Sequence, residues 1–348
     1  MKELSIKDFI NKVLAGVALG IVAGLVPNAI LGELFKFLAN YHEIFATMQM
    51  IVASIQFTVP VIVGVLIAHQ FNFNPLQMVS VGGASFAGSG AAQLIDGKWM
   101  LVGIGDLINT MITATFAVLI IYAMRDHVKS LAIILVPTVA GGLAGFLGYI
   151  LLPYVKLITS AIGNMINSFT TLQPLVMCLL IAAVFSIIIV SPVSTVAIAY
   201  AIGISGLASG AANLGIAAAA IVLAIGSYYV NEKGVTIAIL LGGMKMLMPN
   251  LLKHPIMILP LTITGAVTGV AGRYLSIQGT PASGGFGFSG LVGPINAYKF
   301  LEGSPAANLI TLVVVYFIIP TITGFITHYI FTKVFKLYTF DIFKFEAE

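Results

Sequence analysis

Residues 83–94 read "GASFAGSGAAQL", and residues 203–214, 120 positions downstream, read "GISGLASGAANL". Seven of the twelve positions are identical, and Gln93 stands in line with Asn213. Runs of glycine, alanine and serine bring little apolar volume to a water-soluble core, but in lipid they let helix backbones approach closely. The surroundings favour lipid: 59% of the 348 residues are hydrophobic and 8% are charged, against about 25% charged in an ordinary soluble domain. Apolar runs long enough to cross roughly 30 Å of hydrocarbon recur along the chain. The expected fold class is therefore an all-α polytopic membrane protein, with about ten transmembrane helices, internal repeats and re-entrant segments.

The spans are placed near 10–38, 44–68, 75–94, 99–124, 131–154, 172–190, 193–213, 215–231, 256–276 and 306–331. An even count puts both termini on one side. Their basic flanks, Lys2, Lys7 and Lys12 against Lys333, Lys336 and Lys344, read as cytoplasmic. Arg125, Lys129, Lys233, Lys245 and Lys253 fall on the same side, while Lys156 and Arg273 fall singly outside. The net charge of +4 is spread over chain ends and short loops, so it signals no nucleic-acid partner. The basic lead and apolar stretch from residue 1 read as a retained first helix, since no small-x-small cleavage site follows. A lone Cys178 in "LVMCLLIAAVF" excludes disulfides within the chain and reads as packing.

"VALGIVAGLVP" (17–27), "VAGGLAGFLGY" (139–149) and "ITGAVTGVAGR" (263–273) carry glycines four apart, about 120 residues from one copy to the next. This period predicts one transmembrane domain built of repeats near 13–135 and 136–258, with a partial third copy at 259–348. Transporters commonly pair two repeats around a site near the membrane midplane. Gln93 and Asn213 are candidates for it, because an unpaired amide costs several kcal/mol in hydrocarbon.

Asp106, in "GIGDLINT", and Glu232, in "YYVNEKGV", lie in or beside spans, where acids are expensive and tend to mark pathways. Asn109 shares a helix face with Asp106. The alternative is that Asp106 caps a helix and Glu232 pairs with Lys233 in a wet loop. Residues 233–255, "KGVTIAILLGGMKMLMPNLLKHP", are broken by a Gly-Gly pair, Lys245, Pro249 and Asn250. They read as a re-entrant hairpin or amphipathic segment that starts and ends on the cytoplasmic side. Lys245 is then a partner for substrate or counter-ion, or it snorkels to the interface. "SIQGTPASGGFGFSGLVGPINAY" (276–298) is too rich in glycine for a helix and too apolar for a solvent loop. It reads as a pore-lining loop presenting Thr280, Ser283, Ser289 and Asn296, or as a structured external loop. The five histidines lack metal-pair spacing, so no metal or cofactor is expected.

Through "GTPASGGFGFSGLVGPINAY", "MLMPNLLKHP" and the paired "GSGAAQ" and "SGAAN", the chain resembles the stand-alone IIC-like membrane proteins of the bacterial sugar phosphotransferase system, including the perfringolysin O regulator type. The resemblance covers nearly the whole chain. It implies a bacterial inner-membrane permease, not an enzyme, that is a homodimer and carries a sugar or related small polar metabolite. Expected partners are membrane lipid and separate IIA and IIB proteins docking around 231–255. In an ion-coupled mechanism, Asp106 or Glu232 carries H+ or Na+. A ligand sensor or regulator without transport is the alternative. The candidate substrate-binding residues are Gln93, Asp106, Asn109, Asn213, Glu232, Lys245, Asn250, Thr280, Ser283, Ser289 and Asn296.

Overall fold

The computed structural model describes residues 5–39, 41–124, 127–128, 131–281 and 283–345. Lys2, Arg125 and Lys129 lie outside the described residues. The molecule is an all-α polytopic membrane protein; among the described residues, eight helices are long and apolar enough to cross a bilayer. The chain forms two compact units, residues 1–158 and 159–345.

In the first unit, α1 (Ile6–Leu38) is followed by α2 (Glu43–Ile55) and α3 (Val59–Gln70), which one helical turn joins into a single long span. Gly16, Gly20 and Gly24 face Ile67, Val63 and Val59 in reverse order, so α1 and α3 close as an antiparallel glycine zipper. A Cβ on Gly20 would stand 2.6 Å from the Val63 Cα, a separation no side chain tolerates. The four-residue glycine spacing thus sets helix packing. α4 (Pro75–Ser89), α5 (Leu107–Met124) and the long α6 (Ala132–Phe169) as far as residue 158 complete the unit. Gly145 of α6 meets Ala84 and Ala87 of α4, and Gly148 meets Thr113 of α5.

Between α4 and α5 the expected helix ends at 94 and 99 are replaced by a β-hairpin, β1 (Ala92–Ile95) and β2 (Lys98–Leu101), registered Ala92 to Leu101 and Ile95 to Lys98. Gly90 stops α4 in the left-handed region. Asp96 and Gly97, at φ 49° and 74°, form a tight turn whose twist suits two strands. Gln93 therefore sits half-buried in a strand and not on a helix face.

The second unit is arranged around α9 (Gly206–Tyr228), buried along its membrane-length window. α7 (Pro174–Ile188), α12 (Ile258–Tyr274) and α14 (Pro305–Val334) pack against it. α9 corrects the expected division into 193–213 and 215–231: it runs unbroken through Leu214 and Gly215. Gly215 lies against the Ala182 backbone of α7, so close packing outweighs the weak helix propensity of glycine. Residues before α9 form only a short α8 (Thr195–Ala201), capped by the Ser194 hydroxyl, which accepts from Ala197 N at 3.1 Å. Gly269 of α12 presses on the Cys178 backbone, and the Cys178 side chain is buried as packing.

Candidate functional site

The glycine-rich loop at 276–298 lies along the first half of α9. It enters with Gly279 and Gly206 exchanging both backbone hydrogen bonds, at 2.9 and 3.0 Å. The Ser209 hydroxyl donates to Thr280 O at 2.8 Å, and Thr195 of α8 donates to Gly285 O at 2.8 Å. Ser283 closes the turn on itself, accepting from Thr280 N and donating to Thr280 O, both at 3.0 Å. Asn213, fully buried on α9, holds the loop from below: its Oδ1 accepts from Gly287 N at 3.1 Å, and its Nδ2 points to the Ser283 hydroxyl at 3.4 Å. Gly287 takes a left-handed φ of 64° to bring its amide there, and a Cβ on it would meet Ala217 N at 3.1 Å, halfway along α9. The loop is thus an ordered re-entry into the unit, closed by the short α13 (Val292–Tyr298).

The segment 233–253 is long and apolar enough to span a membrane, yet it does not run straight. Asn231, before it, donates from Nδ2 to Phe343 O at 2.7 Å. Asn250, near its end, donates to the adjacent Ile342 O at 2.9 Å and to Lys344 O at 2.7 Å. Neighbouring carbonyls lie a few ångströms apart, so both Cα atoms fall within roughly 20 Å of each other even with extended side chains. A straight helix between the same residues would rise about 28 Å. The chain folds back at Gly242, where φ is 128°, between α10 (Lys233–Ala238) and α11 (Met248–Lys253). The result is a bent, hairpin-like helical segment whose two ends lie closer than a straight helix would hold them, as the Gly-Gly break in the sequence suggests. Its α10 arm is fixed to the end of α9 by the Ser227 and Thr236 hydroxyls, 3.0 Å apart. Its tip, 239–243, packs on Ser289–Leu291 of the glycine-rich loop. Two re-entering segments, one from each end of α9, therefore meet beside its middle.

Lys245, just past the tip, is buried and does not snorkel. Its Nζ donates to Ser191 O, and to Val193 O at 2.9 Å, in the link between α7 and α8. Ser289 is buried beside the tip, and Asn296 follows on α13 with a buried Oδ1 that has no hydrogen-bond partner. Tyr316 of α14 is fully buried with its hydroxyl likewise unpartnered, and that hydroxyl would stand 3.1 Å from a Cβ on Gly293. Sequence reasoning missed Tyr316 because a tyrosine in an apolar run looks like ordinary core. It also missed Thr195 and Ser209, whose partners lie 90 and 71 residues away.

The remaining candidates are elsewhere. In the first unit, Asp106 is the N-cap of α5, its Oδ1 accepting from Asn109 N at 2.9 Å, as the capping alternative has it. Asn109 is fully buried; its Nδ2 donates to Gly88 O at 2.6 Å and Gly148 O at 2.8 Å, joining α4, α5 and α6, while its Oδ1 has no partner. Gln93 donates locally to Gly90 O at 3.2 Å. In the second unit, Glu232 is exposed at the hairpin entrance, and Asn250 ties down the hairpin exit.

What Asn231 and Asn250 bind is a C-terminal strap, residues 335–345. Phe345 N donates back to Asn231 Oδ1 at 2.7 Å. Phe343 is fully buried against Gly226 of α9, and Tyr338 pairs with Nδ1 of buried His328 at 2.8 Å. The His328 Nε2 donates to Val222 O of α9 at 2.9 Å. Burial raises the Tyr338 phenol above its ordinary pKa, so it stays protonated in this contact.

Residues 11–345 match the phosphotransferase system EIIC family, nearly the whole chain, and the protein belongs to that family. No curated protein and no solved structure matches it. Membership makes it a membrane component of permease type.

Proposed function

We propose that the protein carries a sugar or related small polar metabolite across a bacterial inner membrane, binding it where the hairpin tip and the glycine-rich loop converge on α9. One observation carries this reading: Asn213, at full burial, spends its amide on a re-entrant loop that brings backbone and hydroxyl groups to mid-helix depth. Irregular backbone at that depth is tolerated where it is buried in protein or lines a polar cavity. Ser283, Ser289, Thr280, Asn296, Lys245 and the Tyr316 hydroxyl are the groups for a hydroxylated solute. Lys233, Lys253, Lys336 and Lys344 lie at the strapped end, and this lysine excess supports placing that end in the cytoplasm.

Family membership supports working with separate IIA and IIB proteins, and the hairpin base beside the strap is where we place their docking. Purified protein in liposomes tests both parts. A panel of sugars is screened for thermal stabilisation, which reaches about 2.7 kcal/mol at a hundred times Kd. Uptake is then measured with and without the phosphate relay. Product that appears phosphorylated, and only with the partners, supports the coupled permease. Uptake of unmodified sugar by the protein alone removes the coupling. Binding without uptake under either condition leaves a sensor in place of the transporter. If a cation is co-transported, Asp106 or Glu232 carries it, and unchanged H+ or Na+ dependence in the double variant Asp106→Asn, Glu232→Gln excludes both.

A further inference from the structure

The β1–β2 hairpin of the first unit has no part in the proposed solute site. It is pinned at its base, where Val102 N donates to Ala91 O at 2.9 Å and Asp106 N donates to Ser89 O at 2.8 Å. From there it projects with Leu94, Ile95, Trp99, Met100, Leu101 and Val102 all exposed, Trp99 to 75%. Asp96 and Lys98 bracket the turn at its tip.

Three environments are open to such an element, and two fit badly. In water, five large apolar side chains on two four-residue strands, with Val102 just beyond, leave exposed apolar surface on both faces of the hairpin, of the kind that marks an interaction site. In hydrocarbon, a two-stranded sheet leaves the outer edge of each strand with unpaired amide and carbonyl groups. Each costs several kcal/mol where no water reaches it, and the two charged residues at the turn add to that cost. The headgroup layer satisfies both demands, since water reaches the strand edges while apolar side chains meet the acyl boundary. The position along the chain agrees. The hairpin base is the N-cap of α5, an 18-residue apolar span, so the element emerges where that span leaves the hydrocarbon. Tryptophan is enriched at that depth, and lysine beside it reaches toward lipid phosphate.

We infer that the 92–102 hairpin is a docking element for the bilayer itself, lying in the headgroup layer with Trp99 at the acyl boundary, and that it fixes the depth of the α5 entrance.

Trp99 is the chain's only tryptophan, so its fluorescence reports this element alone. The full chain is placed in phosphatidylcholine and phosphatidylglycerol liposomes. Separate preparations carry a spin-labelled lipid with the quencher near the headgroup or near the acyl terminus, and iodide is added from the water phase. The expected result is quenching by the shallow label roughly twofold or more above that by the deep label, with weak iodide quenching. Stronger quenching by the deep label overturns the proposal by placing the hairpin in hydrocarbon. Strong iodide quenching without lipid quenching overturns it by placing the hairpin in water. Shielding from every quencher overturns it in favour of a second copy of the chain or another protein covering the hairpin. Trp99→Phe removes the signal and confirms its source.

Discussion

Asn213 and Asn109 use one amide chemistry for different ends. Asn213 secures a loop to a helix, and Asn109 joins three helices through the carbonyls of Gly88 and Gly148. Asn213→Ala leaves the Gly287 amide buried without an acceptor, and we expect a loss of about 1–3 kcal/mol in detergent-solubilised thermal unfolding. Solute binding should fall further than that loss explains, because the loop it orders is the proposed binding surface. A variant that binds normally while melting early would reduce Asn213 to a packing residue. At Asp106 the expected pattern differs. Asp106→Ala removes the α5 cap at a cost of about 1 kcal/mol, whereas Asp106→Asn, an equally good cap, leaves unfolding almost unchanged. Asn213 stood out in the sequence because hydrocarbon makes an amide expensive, and Asn109 because it shares a helix face with Asp106. Their partners did not, since Asn213 reaches residues 70 and 74 positions away and nothing local encodes that pairing.

Helical elements followed their patterns wherever spacing and packing agreed. The glycine triplet of α1 announces a helix that must be closely approached, and Gly20→Leu should cost about 1–3 kcal/mol or more by forcing α1 from α3, read as a lowered Tm. The 233–253 hairpin was legible from its Gly-Gly break because length alone could not explain a lysine and a proline inside an apolar run. Its reversal predicts sidedness: in a Cys178→Ala background, Lys233→Cys and Lys253→Cys are labelled by an impermeant maleimide from the same face. Labelling from opposite faces would mean that the segment crosses. Two elements misled. The Asp-Gly turn between "QLI" and "KWML" is a hairpin signal that the surrounding apolar composition obscured. The break expected between 213 and 215 is absent, and Gly215 lies inside α9 against the Ala182 backbone of α7.

At the scale of the molecule, the division at residues 158 and 159 falls inside α6, so sequence motifs and compact units follow different rules. The three glycine runs all serve close helix packing, in both units, and that is the physical property they have in common. The paired amides have no such common role, since Gln93 is on a strand and Asn213 in the middle of a buried helix. Family membership sets the class of activity, and the substrate rests on the two re-entrant segments. Deleting residues 338–345 removes the hydrogen bonds to Asn231 and Asn250, and we expect the hairpin cysteines above to react with maleimide severalfold faster. Unchanged rates would show that the hairpin holds itself.

The strap also sets an order of events during synthesis. The partners of Asn250 lie 92 and 94 residues further along the chain. At about 5–20 residues per second, the ribosome needs on the order of 5–20 s to supply them. For that interval the hairpin is already in the membrane with its base unfastened, exposed to the insertion machinery and to quality-control proteases. Its survival then depends on how quickly a distant segment arrives, and the degradation of slowly translated or prematurely stopped chains should begin at residues 233–253.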